Sequence, residues 1–333
     1  MRIGIPRALF YYHYYPLWKG FFEALGQEVI LSSPTNKNIL KQGIGFTVDD
    51  ACLPVKLFHG HVSNLIGKVD AIFIPRIISI EAREYICPKF LGLPDMVKSN
   101  IPNLPTILDM EMNLYKNNFA ILEHFLKVGE ALGKGKIEVT RAYLTAKYRY
   151  DSYKIMLKRH ELTPPEALAV LRDSNQRKKT KPIDTEYTVL VLGHPYNIYD
   201  DYLSLNLIQK LQKRKVKVVT YEMVADKNIR RGAKRLTKDM FWTLGKNILG
   251  CAHYFLEDQQ IDGMINVASF GCGPDSLVGE LLEHKVNRDY DMPFLYINLD
   301  EQSGEAGFDT RIEAFLDILE GRRTYESYFS THG

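Results

Sequence analysis

Residues 70–75 read DAIFIP, a short run of consecutive apolar side chains closed by a proline. A strand that is apolar on both faces is typical of a parallel sheet covered by helices on both sides. The stretch DGMINV, at residues 262–267, stands in the second half of the chain where DAIFIP stands in the first. This repeat predicts two related lobes, each built around a buried parallel strand.

The flanking segments predict the remaining elements of each lobe. A strand at residues 2–6, a helix over 8–25 that ends at a glycine and a strand at 28–31 form a strand-helix-strand unit, which builds parallel sheets. The other predicted strands are residues 106–109, 187–193, 217–220 and 294–298. The other predicted helices are residues 38–42, a helix from about 54, 117–132, 137–176 with a restart at TPPE (163–166), 201–212, 241–256 and 310–321.

We therefore expect an α/β fold of two related Rossmann-like lobes, with parallel sheets flanked by helices and a helical excursion between the lobes. The N-terminal α/β lobe would cover residues 1–135 and carry Cys52 and Cys87. Residues 136–182 would form the helical linker region, whose basic end (RKKTKP) we interpret as a solvated linker. The C-terminal α/β lobe, residues 183–333, would carry the third candidate cysteine described below.

Composition excludes several classes of protein. The chain has 333 residues, 45% of them apolar and 25% charged, with a formal net charge of +3. These values suit two globular domains and lack the basic surplus of a nucleic-acid-binding protein. No apolar run approaches the length of a membrane span, and the first residues are predicted to form a core strand rather than a cleavable leader. We expect a cytoplasmic protein with no nucleic-acid partner and no membrane partner.

Three of the four cysteines stand at predicted turns, and four are too few for a disulfide framework. Cys52 and Cys87 lie close to prolines, and Cys272 lies between two glycines before a predicted helix. The binding crevice of an open parallel sheet lies at the carboxyl ends of its strands, where these turns should emerge. Three thiolates that meet there would suit an iron-sulfur cluster. Spacing alone leaves open three separately buried thiols, or a nucleophilic Cys272.

Cys251 follows a different pattern. It joins Leu244, Ile248 and Phe255 at spacings of three and four residues within a predicted helix, which is typical of a stripe facing the core. We interpret Cys251 as a packing residue, and the alternative is a fourth metal ligand.

Polar side chains are expected at the rim of the crevice. His194 and Asn197 directly follow a predicted strand and are candidates for holding a carbonyl or relaying a proton, with a structural turn as the alternative. Glu301 lies in an acidic, glycine-containing loop and is a candidate active-site acid, with a mobile surface loop as the alternative. His59 and His61 are two residues apart on a predicted helix, which makes a poor chelate and favours surface or capping roles.

Five short motifs are spread over nearly the whole chain: RIGIPRAL (2–9), DDACLPVK (49–56), CPK (87–89), GHPY (193–196) and FGCGPD (270–275). Together they resemble the acyl-CoA dehydratase activase-related family, also called CoA protein activases. That family is similar to the iron-sulfur subunits of 2-hydroxyacyl-CoA dehydratases and benzoyl-CoA-type reductases, and to double-cubane cluster proteins.

The resemblance implies a 4Fe-4S cluster held by Cys52, Cys87 and Cys272, with one iron left for an exogenous ligand, or a double cubane shared between two chains. It also implies an ATP-dependent activase that donates low-potential electrons, and an acyl-CoA or other small-molecule substrate. The chain would then be a dehydratase-like lyase or a reductase component. The sequence has no G-x-x-x-x-G-K-[ST] phosphate loop, which fits the electron-accepting component rather than the ATPase.

Lys56, Arg76 and Lys89 are the nearby cations that would offset the charge of a reduced cluster. The alternative function within the same fold is a non-catalytic iron-sulfur carrier or regulatory partner. A homodimer or a heterodimer fits either function.

Overall fold

The computed structural model describes residues 1–116, 121–173, 185–258 and 260–332. Two four-stranded parallel sheets form the centres of the two lobes, in the orders β2-β1-β3-β4 and β6-β5-β7-β8. The N-terminal sheet consists of β1 (Arg2–Ile5), β2 (Glu28–Leu31), β3 (Ala71–Ser79) and β4 (Thr106–Asn113). The C-terminal sheet consists of β5 (Tyr187–Gly193), β6 (Val216–Val219), β7 (Gly263–Ser269) and β8 (Phe294–Leu299). The matching strand orders confirm the prediction of two related Rossmann-like lobes.

Helices cover both faces of each sheet. In the N-terminal lobe they are α1 (Tyr11–Ala24), α2 (Lys37–Gly45), α3 (Leu53–Leu65), α4 (Pro88–Asn100) and α5 (Ile121–Ala131). The helical excursion consists of α6 (Lys136–His160) and α7 (Pro164–Arg172). In the C-terminal lobe they are α8 (Pro195–Ile198), α9 (Leu207–Lys213), α10 (Asp226–Ala233), α11 (Thr243–Asp258), α12 (Gly273–Asp289) and α13 (Glu305–His332).

The helical excursion packs against the N-terminal lobe. Gly20 of α1 faces the backbone of Ala146 on α6, where an added methyl group would stand 3.1 Å from the Ala146 Cα. Buried side chains of α6 and α7 join the hydrophobic core around β1 and β3. The predicted restart is confirmed, since Thr163 and Glu166 form a capping box at the start of α7.

Several elements differ from the sequence prediction. The apolar run that predicted β3 closes at Pro75, but the strand continues to Ser79 and includes Arg76. The proline is tolerated because β3 pairs with β1 only at residues 71 and 72, which leaves the edge beside Pro75 unpaired on that side. Helices α4 and α10 were not predicted, and α13 begins inside the expected acidic loop. The basic run 177–182 and the expected helix start at 117 lie outside the described residues.

The expectation of surface or capping roles for His59 and His61 is wrong. Both imidazoles are fully buried, and they flank Gly60, where α2 and α3 cross closely. His59 Nδ1 lies 2.8 Å from the Val55 carbonyl oxygen, one turn earlier in α3.

A buried chain of hydrogen bonds runs from His61 to the other lobe. The Arg7 amide donates to Ser32 Oγ at 2.9 Å, and Ser32 Oγ lies 2.8 Å from His61 Nδ1. His61 Nε2 lies 3.0 Å from Thr35 Oγ1, and the Thr35 hydroxyl donates to the Asp200 carboxylate. Because Thr35 uses its only proton for Asp200, it accepts from His61 Nε2–H, and Nδ1 accepts from Ser32. This series of hydrogen bonds therefore fixes the tautomer of His61 and connects the two lobes.

Further contacts between the lobes flank this chain. The Tyr12 hydroxyl donates to the carbonyl oxygen of Tyr199 at 2.7 Å, and Lys56 forms an ion pair with Glu301 at 2.5 Å. Among the described residues, no helix combines the length and the apolar character needed to cross a membrane.

Asp200, the buried carboxylate at the end of this hydrogen-bond series, makes the stability of the fold depend on pH. Burial raises the pKa of Asp200 to about 6, against the hydrogen bonds from Thr35 and the Leu203 amide, which lower it. The folded state therefore holds this proton more tightly than the unfolded state does. The resulting stability is fully present below about pH 4 and is lost as the pH rises through about 6.

We predict that Asp200→Asn reduces the fall in unfolding free energy between about pH 4 and pH 7 by on the order of 2 kcal/mol, because asparagine does not titrate. Chemical denaturation at a series of pH values measures it. Asp317→Asn, at an exposed carboxylate of α13, is the control and should follow the wild-type curve. Equal pH dependence in Asp200→Asn and wild type would contradict the assignment.

Candidate cysteine site

Three cysteines are the N-cap residues of three helices. Cys52 precedes α3, Cys87 precedes α4 and Cys272 precedes α12, and each helix has a proline at its first or second position. A helix N-terminus exposes backbone N–H groups and carries the positive end of the helix dipole. Each helix N-terminus therefore contributes a positive potential beside its cysteine.

The three cysteines line one cavity between the lobes. Cys52 and Cys272 are 7% and 8% exposed and belong to one buried cluster, and Cys87 is half-buried. The backbone turn at Gly271 brings the two buried cysteines together, since a methyl group at Gly271 would stand 3.3 Å from the Cys52 Cα. Most of the remaining wall is apolar, including Leu9, Val55, Phe90, Trp242 and Leu244.

The surroundings of the thiols oppose a free thiolate. Burial raises the pKa of Cys52, and the charge of Lys89 acts in the other direction. Burial and then the Asp275 carboxylate raise the pKa of Cys272 far above its ordinary value. A neutral thiol is a poor nucleophile, whereas a bound metal deprotonates the thiol that ligates it. This environment argues against the alternative of Cys272 as a metal-free nucleophile.

A buried polar network stands behind Cys272. His194 Nε2 lies 3.0 Å from Asp275 Oδ1, and the Asn197 amide donates to Asp275 Oδ2 at 3.0 Å. The Ser269 amide donates to the same Oδ2 at 3.1 Å, and the Ser269 hydroxyl donates to Asn197 Oδ1 at 2.6 Å. His194 lines the cysteine cavity, whereas Asn197 supports Asp275. Sequence reasoning found the histidine and missed its carboxylate partner, although an acidic residue in the first turn after Cys272 was visible.

His194, Cys272 and Asp275 offer ligand atoms that lie within 4.8 Å of one another and could hold a metal ion. Both oxygens of Asp275 already accept hydrogen bonds, from His194 on one side and from Asn197 and Ser269 on the other. Asp275 is therefore better suited to orient His194 than to leave that network for a metal.

Glu301 lies away from the cysteine cavity. It lines a neighbouring cavity of about 270 Å³ together with Leu53, Leu57 and Asp300, and it is held there by the ion pair with Lys56. Its role as an active-site acid stays a prediction.

The three cations predicted to lie near the cysteines occupy different places in the structure. Arg76 binds Asp95 at 2.7 Å and Asp109 at 2.8 Å, and Lys56 binds the glutamate of the neighbouring cavity. Of the three predicted cations, Lys89 lines the cysteine cavity. Cys251 is fully buried in a hydrophobic cluster of the C-terminal lobe, which confirms its packing role.

The fold and the site define a class of protein: two related α/β lobes with a cavity between them that is lined by three helix-capping cysteines. Residues 2–224 match the family described as CoA enzyme activase uncharacterised domain, and residues 141–319 match 2-hydroxyglutaryl-CoA dehydratase, D-component. The chain belongs to the CoA enzyme activase domain family and is a 2-hydroxyacyl-CoA dehydratase D-component-like protein, which confirms the resemblance seen in its motifs.

A comparison with curated proteins gave no match. Among solved structures, the chain is similar to the apo-structure of D-lactate dehydrogenase from Escherichia coli, with 12% identity over 100% of this chain and 98% of that chain and a TM-score of 0.18. At that TM-score the similarity carries no argument about fold or function.

The turn before Cys272 provides a test of the geometry of the site. We predict that Gly271→Ala lowers the unfolding free energy by about 1–2 kcal/mol, because Gly271 has a φ of +74° and its Cβ would press on Cys52. Gly273→Ala is the matched control: its Cβ meets nothing within 4 Å, and its effect should stay within about 0.5 kcal/mol. Denaturant titration measures both variants, and equal effects would contradict the close approach of the Cys272 turn to Cys52.

Proposed function

We propose that the cysteine cavity holds an iron-sulfur cluster, 4Fe-4S, ligated by Cys52, Cys87 and Cys272. The observation that carries the proposal is the convergence of three helix-capping cysteines on one cavity between the lobes. The match to the 2-hydroxyglutaryl-CoA dehydratase D-component family, known for iron-sulfur clusters, supports it.

The residues present fit such a group. Thiolates and a reduced cluster carry net negative charge, and three helix N-termini together with Lys89 offer the compensating positive potential. The apolar wall keeps water away, which strengthens every electrostatic interaction inside the cavity. When bound, the cluster would supply one-electron chemistry and an iron open to an exogenous ligand.

His194 is the side chain that would handle protons in the cavity. Its Nε2 carries the proton in the hydrogen bond to Asp275, since a carboxylate only accepts. Its Nδ1 is buried and makes no hydrogen bond to the described residues, so it is available as an acceptor. Asn197 and Ser269 would hold Asp275, and through it His194, in place.

In this function the chain accepts low-potential electrons from an ATP-dependent activase and delivers them to an acyl-CoA or other small-molecule substrate. It acts in the cytoplasm as a dehydratase-like lyase or as a reductase component, as a homodimer or heterodimer. The match to the CoA enzyme activase domain family supports the partnership with an activase.

Anaerobic purification followed by iron and sulfide assays, absorbance and EPR tests the cluster. We predict that the wild-type protein binds iron and sulfide and that Cys52→Ala, Cys87→Ala and Cys272→Ala each lose most of both, because each removes one of the ligands. Cys251→Ala is the matched control, since that thiol lies in the core of the C-terminal lobe, and its iron content should equal that of the wild type. A wild-type protein without iron, or unchanged iron content in Cys87→Ala, would refute the cluster.

Reduction in the presence of a purified 2-hydroxyacyl-CoA dehydratase activase, ATP and dithionite tests the electron-transfer role. We expect the reduced EPR signal to require both activase and ATP. An iron-containing protein that shows no ATP-dependent reduction would point instead to the carrier or regulatory function.

A further inference from the structure

The two lobes contact each other through two equivalent backbone hydrogen bonds beside the cysteines. The amide of Leu53, the first residue of α3, donates at 3.4 Å to the carbonyl oxygen of Phe270, two residues before Cys272. The amide of Thr243, the first residue of α11, donates at 2.9 Å to the carbonyl oxygen of Tyr85, two residues before Cys87. An approximate two-fold axis therefore exchanges the two cysteine turns, and it also exchanges the N-termini of α3 and α11.

One glycine on α3 and one on α11 independently support the equivalence of these two helices. Gly60, eight residues after Cys52, packs against the Ile39 carbonyl oxygen on α2, and a methyl group there would collide with it. Gly250, eight residues after Trp242, packs in the same way against the Ile229 carbonyl oxygen on α10. The two helix pairs follow β2 and β6, which hold matching places in their sheets. Cys52 and Trp242 are therefore equivalent positions.

The residues that line the cavity after Cys52 and after Trp242 have the same spacing along the sequence. Cys52 contributes to the wall together with the residues two and three places after it, Pro54 and Val55. Trp242 contributes together with the residues two and three places after it, Leu244 and Gly245. The cavity thus has four corners in two equivalent pairs. In the described structure cysteines stand at three corners and the half-buried Trp242, which also lines a neighbouring surface pocket, stands at the fourth.

We propose that Trp242 occupies the fourth corner of the cysteine cavity and determines the side on which the cluster is left without a protein ligand. The proposal rests on the proposed function. An indole offers an N–H donor and no ligand atom for iron, so Trp242 closes the corner against water without coordinating. An exogenous ligand or substrate oxygen would then meet the cluster on the side of Trp242, at the N-terminus of α11.

Symmetry makes a sharp test possible, because the two-fold operation exchanges Cys52 with Trp242 and Cys87 with Cys272. Moving one cysteine from the first corner of the cavity to the fourth should recreate a three-thiolate site in the symmetry-related position. We predict that Cys52→Ala loses most of its iron and that the double variant Cys52→Ala, Trp242→Cys recovers most of the wild-type iron and sulfide content. The double variant Cys52→Ala, Phe241→Cys is the matched control, since Phe241 is exposed and lines a different surface pocket.

The single variant Trp242→Cys gives a second readout that does not depend on activity. With a thiolate at each corner, its cluster should resist the loss of one iron during brief oxidation, which EPR detects as a three-iron species in wild type. We expect Trp242→Cys, and not Phe241→Cys, to restore the iron content of Cys52→Ala. We also expect the single Trp242→Cys variant to keep all of its iron during brief oxidation. No rescue by Trp242→Cys, or oxidation of the single variant at the wild-type rate, would overturn the proposal while the cluster itself stands.

A measurement with Cd²⁺ separates this proposal from the cluster. Thiolate-to-metal absorption of the metal-free protein titrated with Cd²⁺ counts the thiolates that share one ion. The double variant Cys52→Ala, Trp242→Cys should bind Cd²⁺ with as many thiolates as wild type, and the single Trp242→Cys variant with one more. This result would support the corner assignment even if wild-type protein held no iron, and equal counts in wild type and Trp242→Cys would refute it.

Discussion

The convergence of three helix N-termini on one cavity is the constraint on which the site depends. Parallel strands leave their carboxyl ends at one edge of a sheet, and the helix that follows each strand starts at that edge. In this protein α4 follows β3, α12 follows β7, and α3 enters from the same side, so each helix presents its capping cysteine to the space between the lobes. Free amides and helix dipoles at that position favour negative charge, which buried thiolates otherwise cannot sustain. The fold therefore supplies the electrostatic conditions of the cavity before any ligand is considered.

The polar chain from Arg7 to Asp200 and the backbone bonds beside the cysteines have a common effect. Both join residues from the two lobes, so the distance between Cys272 and the two cysteines of the N-terminal lobe is set by contacts on several sides. A cavity assembled from two separate bodies keeps its geometry only when those bodies cannot slide, since ligand positions must hold to within a fraction of an ångström. The burial of His61 and Asp200, which costs solvation free energy, is understandable as part of this constraint.

Much of this arrangement could be predicted from the amino-acid sequence, and the exceptions have physical causes. The apolar strands, the repeat of the two lobes and the helix starts after Cys52 and Cys272 depend on local patterns, which are visible in sequence. Helix α4 was missed because Pro94 interrupts its pattern, although Pro88 marks its start. The position of Glu301 in a neighbouring cavity could not be predicted, because its ion-pair partner Lys56 comes from the other lobe. The contact between Asp275 and His194, like the equivalence of Cys52 and Trp242, depends on packing between distant segments, and no single segment encodes it.

The two halves of the cavity are related by an approximate two-fold axis but differ in the chemistry of their side chains. Three residues after Cys272 stands Asp275, which binds His194, whereas three residues after Cys87 stands Phe90, whose ring lies 4.7 Å from that of Phe10. The cavity therefore has a histidine held by a carboxylate beside Cys272 and an aromatic pair beside Cys87. A symmetric site would offer two equivalent directions for a substrate and no preferred one. Under the proposed function, the corner occupied by Trp242 would set where an exogenous ligand meets the cluster, and His194 with its carboxylate would set where protons enter. The two departures from symmetry would together orient a substrate in the cavity.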